Sequence, residues 1–263
     1  MSIFYRVSFS ISLFTISLIA PAQVPEDLKN RYYEAIDEYI YVNTDSALLH
    51  SRQLLEIGQK YSDSLIIAEG YRSIGNCFYY KNDLPNSLHH FEQAEDIYIA
   101  LGKKDLLGVL YMNYGNIYSD MGQLAKCLTY YQKSESLLSN FSEYESDKAL
   151  LYYNMAHVFM ENNDLVNLEK YINRAREIIF SGEITYLKSG LKNIEADFAL
   201  RQQKLDLAES LAFEALQDAK KENDVLEQVF AFQNLAAVAV NRNLYDKGIA
   251  YQDSALSIAK DYG

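Results

Sequence analysis

Tryptophan is absent from this 263-residue chain, proline occurs three times, cysteine twice and glycine eleven times. Pro21 and Pro25 stand near the N-terminus, so only Pro85 interrupts the body, and a body so poor in breakers is expected to be helical almost throughout. Two cysteines make no disulfide framework. Cys77 and Cys127 each fall on an apolar stripe, and buried free thiols are expected. Positive charge is scarce too. Twenty-four basic against thirty-six acidic residues leave a formal net charge of −12, which repels phosphate backbones and anionic membranes, so no nucleic-acid partner is expected. The basic doublets Lys103-Lys104 and Lys220-Lys221 read as solvated charge in loops between repeats.

Catalytic and metal-binding patterns are missing as well. There is no H-E-x-x-H, G-x-S-x-G, phosphate loop or G-x-G-x-x-G. His89 and His90 are adjacent and so point to different helix faces, while His50 and His157 are isolated. Acidic residues are scattered over helix exteriors. A non-enzymatic chain without cofactor or metal is expected. The longest apolar run, the fourteen residues Val7 to Ala20, falls short of the ~20 residues that span a bilayer. Arg6 precedes it and Ala20-Pro21-Ala22 follows, as in a secretory leader. Residues 1–22 are therefore expected to be a signal peptide cleaved before Gln23. That would leave residues 23–263 without a membrane span, exported to the periplasm, the cell envelope or the medium.

What the chain does contain is a self-copy. Tyr111 to Ser134 repeats Tyr71 to Ala94 forty residues on: an aromatic, Gly-Asn, another aromatic, a polar turn, then a second apolar helix ending on a small residue. The pattern extends to six antiparallel helix pairs, at about 26–60, 61–103, 105–142, 143–181, 183–222 and 224–263. Ala94, Ser134, Ala175, Ala215 and Ala255 are spaced 40, 41, 40 and 40 residues apart. Gly75, Gly115, Ala156 and Ala236 on the first helices would let the second helix of each pair come close. The fifth pair departs, with Glu195 at the expected small position and a turn that reads one residue longer.

A second periodic series is polar. Asn113, Asn154, Asn193 and Asn234 are spaced 41, 39 and 41 residues apart, with Ser73 as the equivalent in the second pair. Stacked helices would bring these amides into a row. Such a row can bond neighbouring helices to one another, or offer donors and acceptors to the backbone of an extended peptide; both roles are open.

These residues carry a family resemblance. The aromatic-x-x-apolar-Gly motifs at Tyr71/Ile74/Gly75 and Tyr111/Tyr114/Gly115, with the late alanines, resemble tetratricopeptide repeats of the forty-residue type. Tyrosine or phenylalanine replaces the usual tryptophan, and no proline closes the repeats. The resemblance implies an all-α fold, an α-solenoid wound as a right-handed superhelix, with first helices lining a concave face that binds peptides or proteins. A second row, Asn76, Asn116 and His157, matches the place where carboxylate-binding members hold a peptide C-terminus with a cation four residues earlier. Arg72 stands so before Asn76, but Met112 and Tyr153 occupy the next two places and Lys192 returns a cation only opposite Ala196. The full clamp is absent. Tyr79, Tyr153 and Gln233 complete the candidate concave-face set of Arg72, Asn76, Asn113, Asn116, Asn154, His157, Lys192, Asn193 and Asn234. The expected function is a protein- or peptide-binding scaffold. The alternative is the extracytoplasmic sensor portion of a histidine kinase or helix-turn-helix regulator, similar to those of Bacteroidetes. The array reaches Gly263 directly after a second helix, so a second copy or an effector partner would be expected to cover that end.

Overall fold

Left-handed turn residues set the period of the fold. Asn82, Gly122, Asn163, Gln203 and Asn243 all have φ between 56° and 67°, and each stands in the turn that closes one helix pair. Asparagine and glycine tolerate this region; Gln203 does so against its Cβ sterics. In the dipeptides Asn82-Asp83 and Asn163-Asp164, the aspartate that follows caps the next helix by accepting from the Asn86 and Asn167 amides. Pro85 sits in the first turn of its helix, where no N–H is needed.

The computed structural model describes residues 23–182 and 184–262; the expected leader, residues 1–22, lies outside them. Twelve α-helices follow one another: α1 (Glu26–Tyr39), α2 (Thr44–Tyr61), α3 (Ser64–Tyr80), α4 (Leu84–Leu101), α5 (Lys104–Asp120), α6 (Leu124–Leu138), α7 (Glu145–Glu161), α8 (Leu165–Ser181), α9 (Lys188–Arg201), α10 (Leu205–Glu222), α11 (Val225–Asn241) and α12 (Tyr245–Tyr262). Ser62, Gly102 and Asn223 are left-handed at three of the junctions between pairs. At the α6–α7 and α8–α9 junctions short 3-10 turns, Ser142–Tyr144 and Thr185–Leu187, replace them. No described helix is long and apolar enough to cross a membrane.

The helices form two layers. From α3 onward each odd-numbered helix touches the next odd-numbered one, whereas even-numbered helices pack on their sequence neighbours. The odd helices are thus the inner layer of an α-solenoid and the even ones its outer layer. Between the layers run the buried small residues Ala94, Ser134, Ala175, Ala215 and Ala255.

Close approach within a pair is visible at two glycines. A Cβ on Gly75 would lie 2.4 Å from the Phe91 ring, and one on Gly115 would lie 2.3 Å from the Tyr131 ring. The outer helix lays an aromatic ring across the inner helix, and only glycine leaves room. Sixteen residues separate each of these partners, and the same separation joins Ala156 to Ile172. As the outer side chain shrinks, the inner one grows.

The fifth pair corrects two expectations. Its turn is not longer: Gln202 to Lys204 matches Lys81 to Asp83 and Met121 to Gln123. What is unusual in α9 is residue type, not residue count: Ala156, Ala196 and Ala236 are spaced 40 apart, as are Asn163, Gln203 and Asn243. Counting back from the left-handed residue, the small position is Ala196, which is fully buried and packs in the cluster of Ala212 and Ala215. Glu195 falls instead at the core position held by Ile74, Tyr114, Met155 and Leu235. It is 7% exposed and is held by Arg176 Nε at 2.8 Å.

Gly115→Leu should overpack the α5–α6 contact by about 1–3 kcal/mol and lower the thermal midpoint by several degrees, whereas Lys126→Leu on the exposed side should leave it within about a degree. Gln203→Gly should raise the midpoint, since it relieves a left-handed strain of about 1 kcal/mol. Differential scanning calorimetry checks both, and equal midpoints for Gly115→Leu and wild type would remove this account of the helix contact.

Candidate functional site

The inner layer carries a furrow made of three shallow depressions that share residues. The first, about 200 Å³, is lined by Arg72, Asn76, Tyr79, Asn113 and Asn116 with Tyr41 and Asp147. The second, about 170 Å³, shares Tyr79 and Asn116 and adds Asp120, Tyr131, Asn154 and His157. The third, about 210 Å³, shares His157 and adds Tyr153, Gly190, Asn193, Asp197, Glu227, Phe230, Gln233 and Asn234. The furrow therefore runs from α3 across α5, α7 and α9 to α11. With helix axes roughly 8–10 Å apart, that path suits an extended segment of roughly ten residues.

Eleven of the twelve candidate residues line this furrow. Lys192 does not. It stands eleven residues before the left-handed Gln203, the place of Tyr71, Tyr111 and Tyr152, whose rings pack toward the outer helices. Its ammonium follows the same direction, to Asp218 at 2.8 Å and Glu214 at 3.1 Å on α10. Counted from the same turn, Asn193 stands one place before Asn113, Asn154 and Asn234, where Arg72, Met112, Tyr153 and Gln233 stand, so it is turned by ~100° from that row.

Hydrogen bonding divides the amide rows. Asn113 Nδ2 donates to Asn76 Oδ1 at 3.1 Å, and Asn154 Nδ2 donates to Asn116 Oδ1 at 3.1 Å. Asn234 Nδ2 donates to the Asn193 carbonyl at 3.0 Å. These three reach back to the preceding repeat. Asn193, one place earlier on its helix, reaches forward instead: its Nδ2 donates to the Glu227 carbonyl at 2.9 Å and to Glu227 Oε2 at 2.8 Å. Tyr131, whose ring crosses Gly115, also donates its hydroxyl to Asn116 Oδ1 at 2.8 Å.

The charges at the two ends differ. Arg72 donates to Glu69 Oε2 through Nη2 at 2.6 Å and through Nε at 3.2 Å, and Glu69 also accepts from the Tyr98 hydroxyl. Glu69 holds the guanidinium in its charged form, which leaves little free charge for a ligand carboxylate. Asp147, in the same depression, is raised by burial and partly restored by Arg72. At the other end Glu227 is 8% exposed and accepts from Asn193 and, at 3.2 Å, from the Tyr153 hydroxyl. No lysine, arginine or histidine lies within ion-pair distance of it among the described residues. Burial raises its pKa, and nearby Asp224 adds to the shift against the two hydrogen bonds. Asp197, in contrast, is paired with Arg201 at 2.5 Å.

Tyr131, Gly190, Phe230 and Glu227 also line the furrow and are not among the residues expected from the sequence. For Glu227 a signal was present. It stands seven residues, two turns, before Asn234, as Asp147 does before Asn154, and so lies on the same helix face as the amide row. Cys77 and Cys127 are both buried free thiols, and burial pushes Cys127 up to about 11, so neither is a reactive group in the furrow. No group of three metal-ligating side chains occurs among the described residues.

No protein-family model and no curated protein sequence matches the chain. Solved structures do. BtubC (BKLC) from P. vanneervenii superposes with a TM-score of 0.65 at 18% identity, over 87% of this chain and 92% of its own. Aspartyl phosphate phosphatase F from Bacillus subtilis gives 0.70 at 13% identity, over 89% of this chain and 60% of its own. The apo form of RapI gives 0.68 at 12% identity, over 92% and 86%. At such identities the likeness concerns the fold alone. The chain is a helical-repeat α-solenoid.

A raised carboxyl pKa has a signed consequence. Glu227 binds its proton more tightly folded than unfolded, so its contribution to stability is full below the ordinary glutamate pKa and is lost as pH rises through the raised one. Glu227→Gln should therefore raise the thermal midpoint at pH 7.5, by about 2 °C for about 1 kcal/mol, and the gain should vanish toward pH 4. Thermal melts of both proteins across that range check it; a gain that is the same at every pH would count against a buried, uncompensated carboxylate.

Proposed function

We infer that this chain is a binding scaffold that holds an extended peptide, or an extended segment of a protein, along the inner furrow. The observation that carries this reading is the half-used state of the amides. Asn76 and Asn116 accept hydrogen bonds through Oδ1, while their Nδ2 groups have no protein partner among the described residues. Asn113, Asn154 and Asn234 donate through Nδ2, while their Oδ1 atoms have none. Each rung thus fixes the superhelix with one end of the amide and offers the other to the furrow. The structural and ligand-contacting roles are combined in single residues. A peptide backbone presents the complementary alternation of N–H and C=O groups. Tyr79, Tyr153 and His157 add amphipathic contact surface between the rungs.

The leader-like residues 1–22 support export, and the mature protein is expected to act in the cell envelope or outside it. Mass spectrometry of the chain recovered from its native host should then find Gln23 as the first residue; recovery of an intact N-terminus from the cytosol would refute export.

Selection of random twelve-residue peptides against the folded chain tests the furrow. Bound peptides should lose about fivefold in affinity for each central amide replaced by an ester, corresponding to about 1 kcal/mol per hydrogen bond. Gln233→Ala together with His157→Ala should weaken binding without shifting the thermal midpoint. Peptides that tolerate ester replacement at every position would place recognition elsewhere.

A further inference from the structure

The α11 end of the furrow holds an imbalance that the scaffold itself does not resolve. Glu227 is buried at the bottom of the 210 Å³ depression, and its two protein partners, Asn193 Nδ2 and the Tyr153 hydroxyl, are neutral. A carboxylate accepts about four hydrogen bonds, so two acceptor sites remain. Burying an unpaired charge costs several kcal/mol unless a counter-charge arrives. The depression is open because residue 190 is glycine. A Cβ there would lie 2.8 Å from both Glu227 Oε1 and the Tyr153 hydroxyl. Tyr153, Phe230, Met160 and Ile194 line the remaining walls. An apolar sleeve with aromatic rings leading to one uncompensated carboxylate fits an alkyl chain that ends in a cation.

We propose that this pocket takes a lysine or arginine side chain of the segment bound in the furrow, with Glu227 as its counter-ion. The methylene stem lies against Met160, Phe230 and Tyr153, and the cationic head donates to the free lone pairs of Glu227. Asp197 at the rim is already paired with Arg201 and adds only general negative potential. The pocket thus supplies side-chain selectivity that the amide rungs, which address backbone, do not. This inference rests on the furrow being the binding surface, so its test has two independent arms.

In the first arm, the full chain labelled at its methionine methyl groups is titrated with butylguanidinium or butylammonium chloride at constant ionic strength, with neutral butylurea as the comparison. The Met160 signal is assigned by its loss in Met160→Leu. It should shift saturably with both cations and at least tenfold more weakly with butylurea, and Glu227→Gln should abolish the difference while staying folded, with a thermal midpoint no lower than that of wild type. No saturable shift, equal response to butylurea, or unchanged response in Glu227→Gln overturns the proposal. In the second arm, peptides selected from the random library should be enriched in lysine or arginine at one position, and the enrichment should disappear with Glu227→Gln. Bound peptides with no such enrichment, or with enrichment that survives in Glu227→Gln, overturn the proposal and leave the furrow reading standing. Failure of every peptide to bind, with Met160 still discriminating cation from urea, overturns the furrow reading and supports the pocket as a cation site.

Discussion

An aromatic ring laid across a glycine is the contact on which the rest depends. Where Phe91 crosses Gly75 and Tyr131 crosses Gly115, the two helices of a pair approach more closely than any Cβ would permit. That approach fixes how far the inner helix stands from its outer partner, and a fixed distance repeated every forty residues aligns the inner helices as one layer. The amides of Asn76, Asn113, Asn116 and Asn154 then fall within 3.1 Å of their neighbours in adjacent repeats. The contact also enters the site directly. Tyr131 delivers its hydroxyl to Asn116, so the same ring packs the pair and orients a furrow amide. Enlarging Gly115 would disturb packing and recognition together.

Helix α9 keeps the register of its neighbours but fills its places with different residue types. Lys192 stands where three other repeats have tyrosine and reaches Asp218 and Glu214, Glu195 occupies a core position where Arg176 must reach it, and Asn193, one place before the amide row, bonds forward to the next repeat. A solenoid of identical repeats would contain none of these. These residue choices concentrate charged and polar exceptions between α7, α9 and α11. Departures from local consistency that persist in a folded chain mark places where something other than stability is served.

The architecture was legible in the amino-acid sequence because small residues and left-handed turns leave periodic marks. Ala94, Ser134, Ala175, Ala215 and Ala255 are buried where their spacing places them. The polar rows were legible for the same reason. The fifth pair misleads because Asn193 stands one place off the amide row, which makes the turn after it look longer; the left-handed Gln203, 40 residues from both Asn163 and Asn243, shows that the register is kept. Glu227 was missed for a different reason. One acidic residue on an acidic chain looks like solvated surface, and its burial depends on Gly190 and Tyr153, which lie 37 and 74 positions away in the sequence. Position relative to a periodic row carried the information; residue type alone did not.

The two ends of the furrow hold opposite electrostatic states, and this gives the bound segment a direction. At the α3 end the cation Arg72 is already satisfied by Glu69, with Asp147 close by, so a ligand anion gains little there. At the α11 end the anion Glu227 lacks a partner. Backbone rungs by themselves accept a peptide in either orientation and in several registers, since N–H and C=O groups recur along it. A single buried charge breaks that degeneracy, because only registers that bring a cation to it relieve its desolvation. Neutral segments leave the carboxylate unpaired, and acidic ones add repulsion of like charge. Specificity here comes as much from what the pocket penalises as from what it holds. On the proposed reading, the free protein carries the cost of an unpaired carboxylate, and a bound cation relieves it, so a buried charge that the scaffold leaves without a partner becomes the one that selects the ligand.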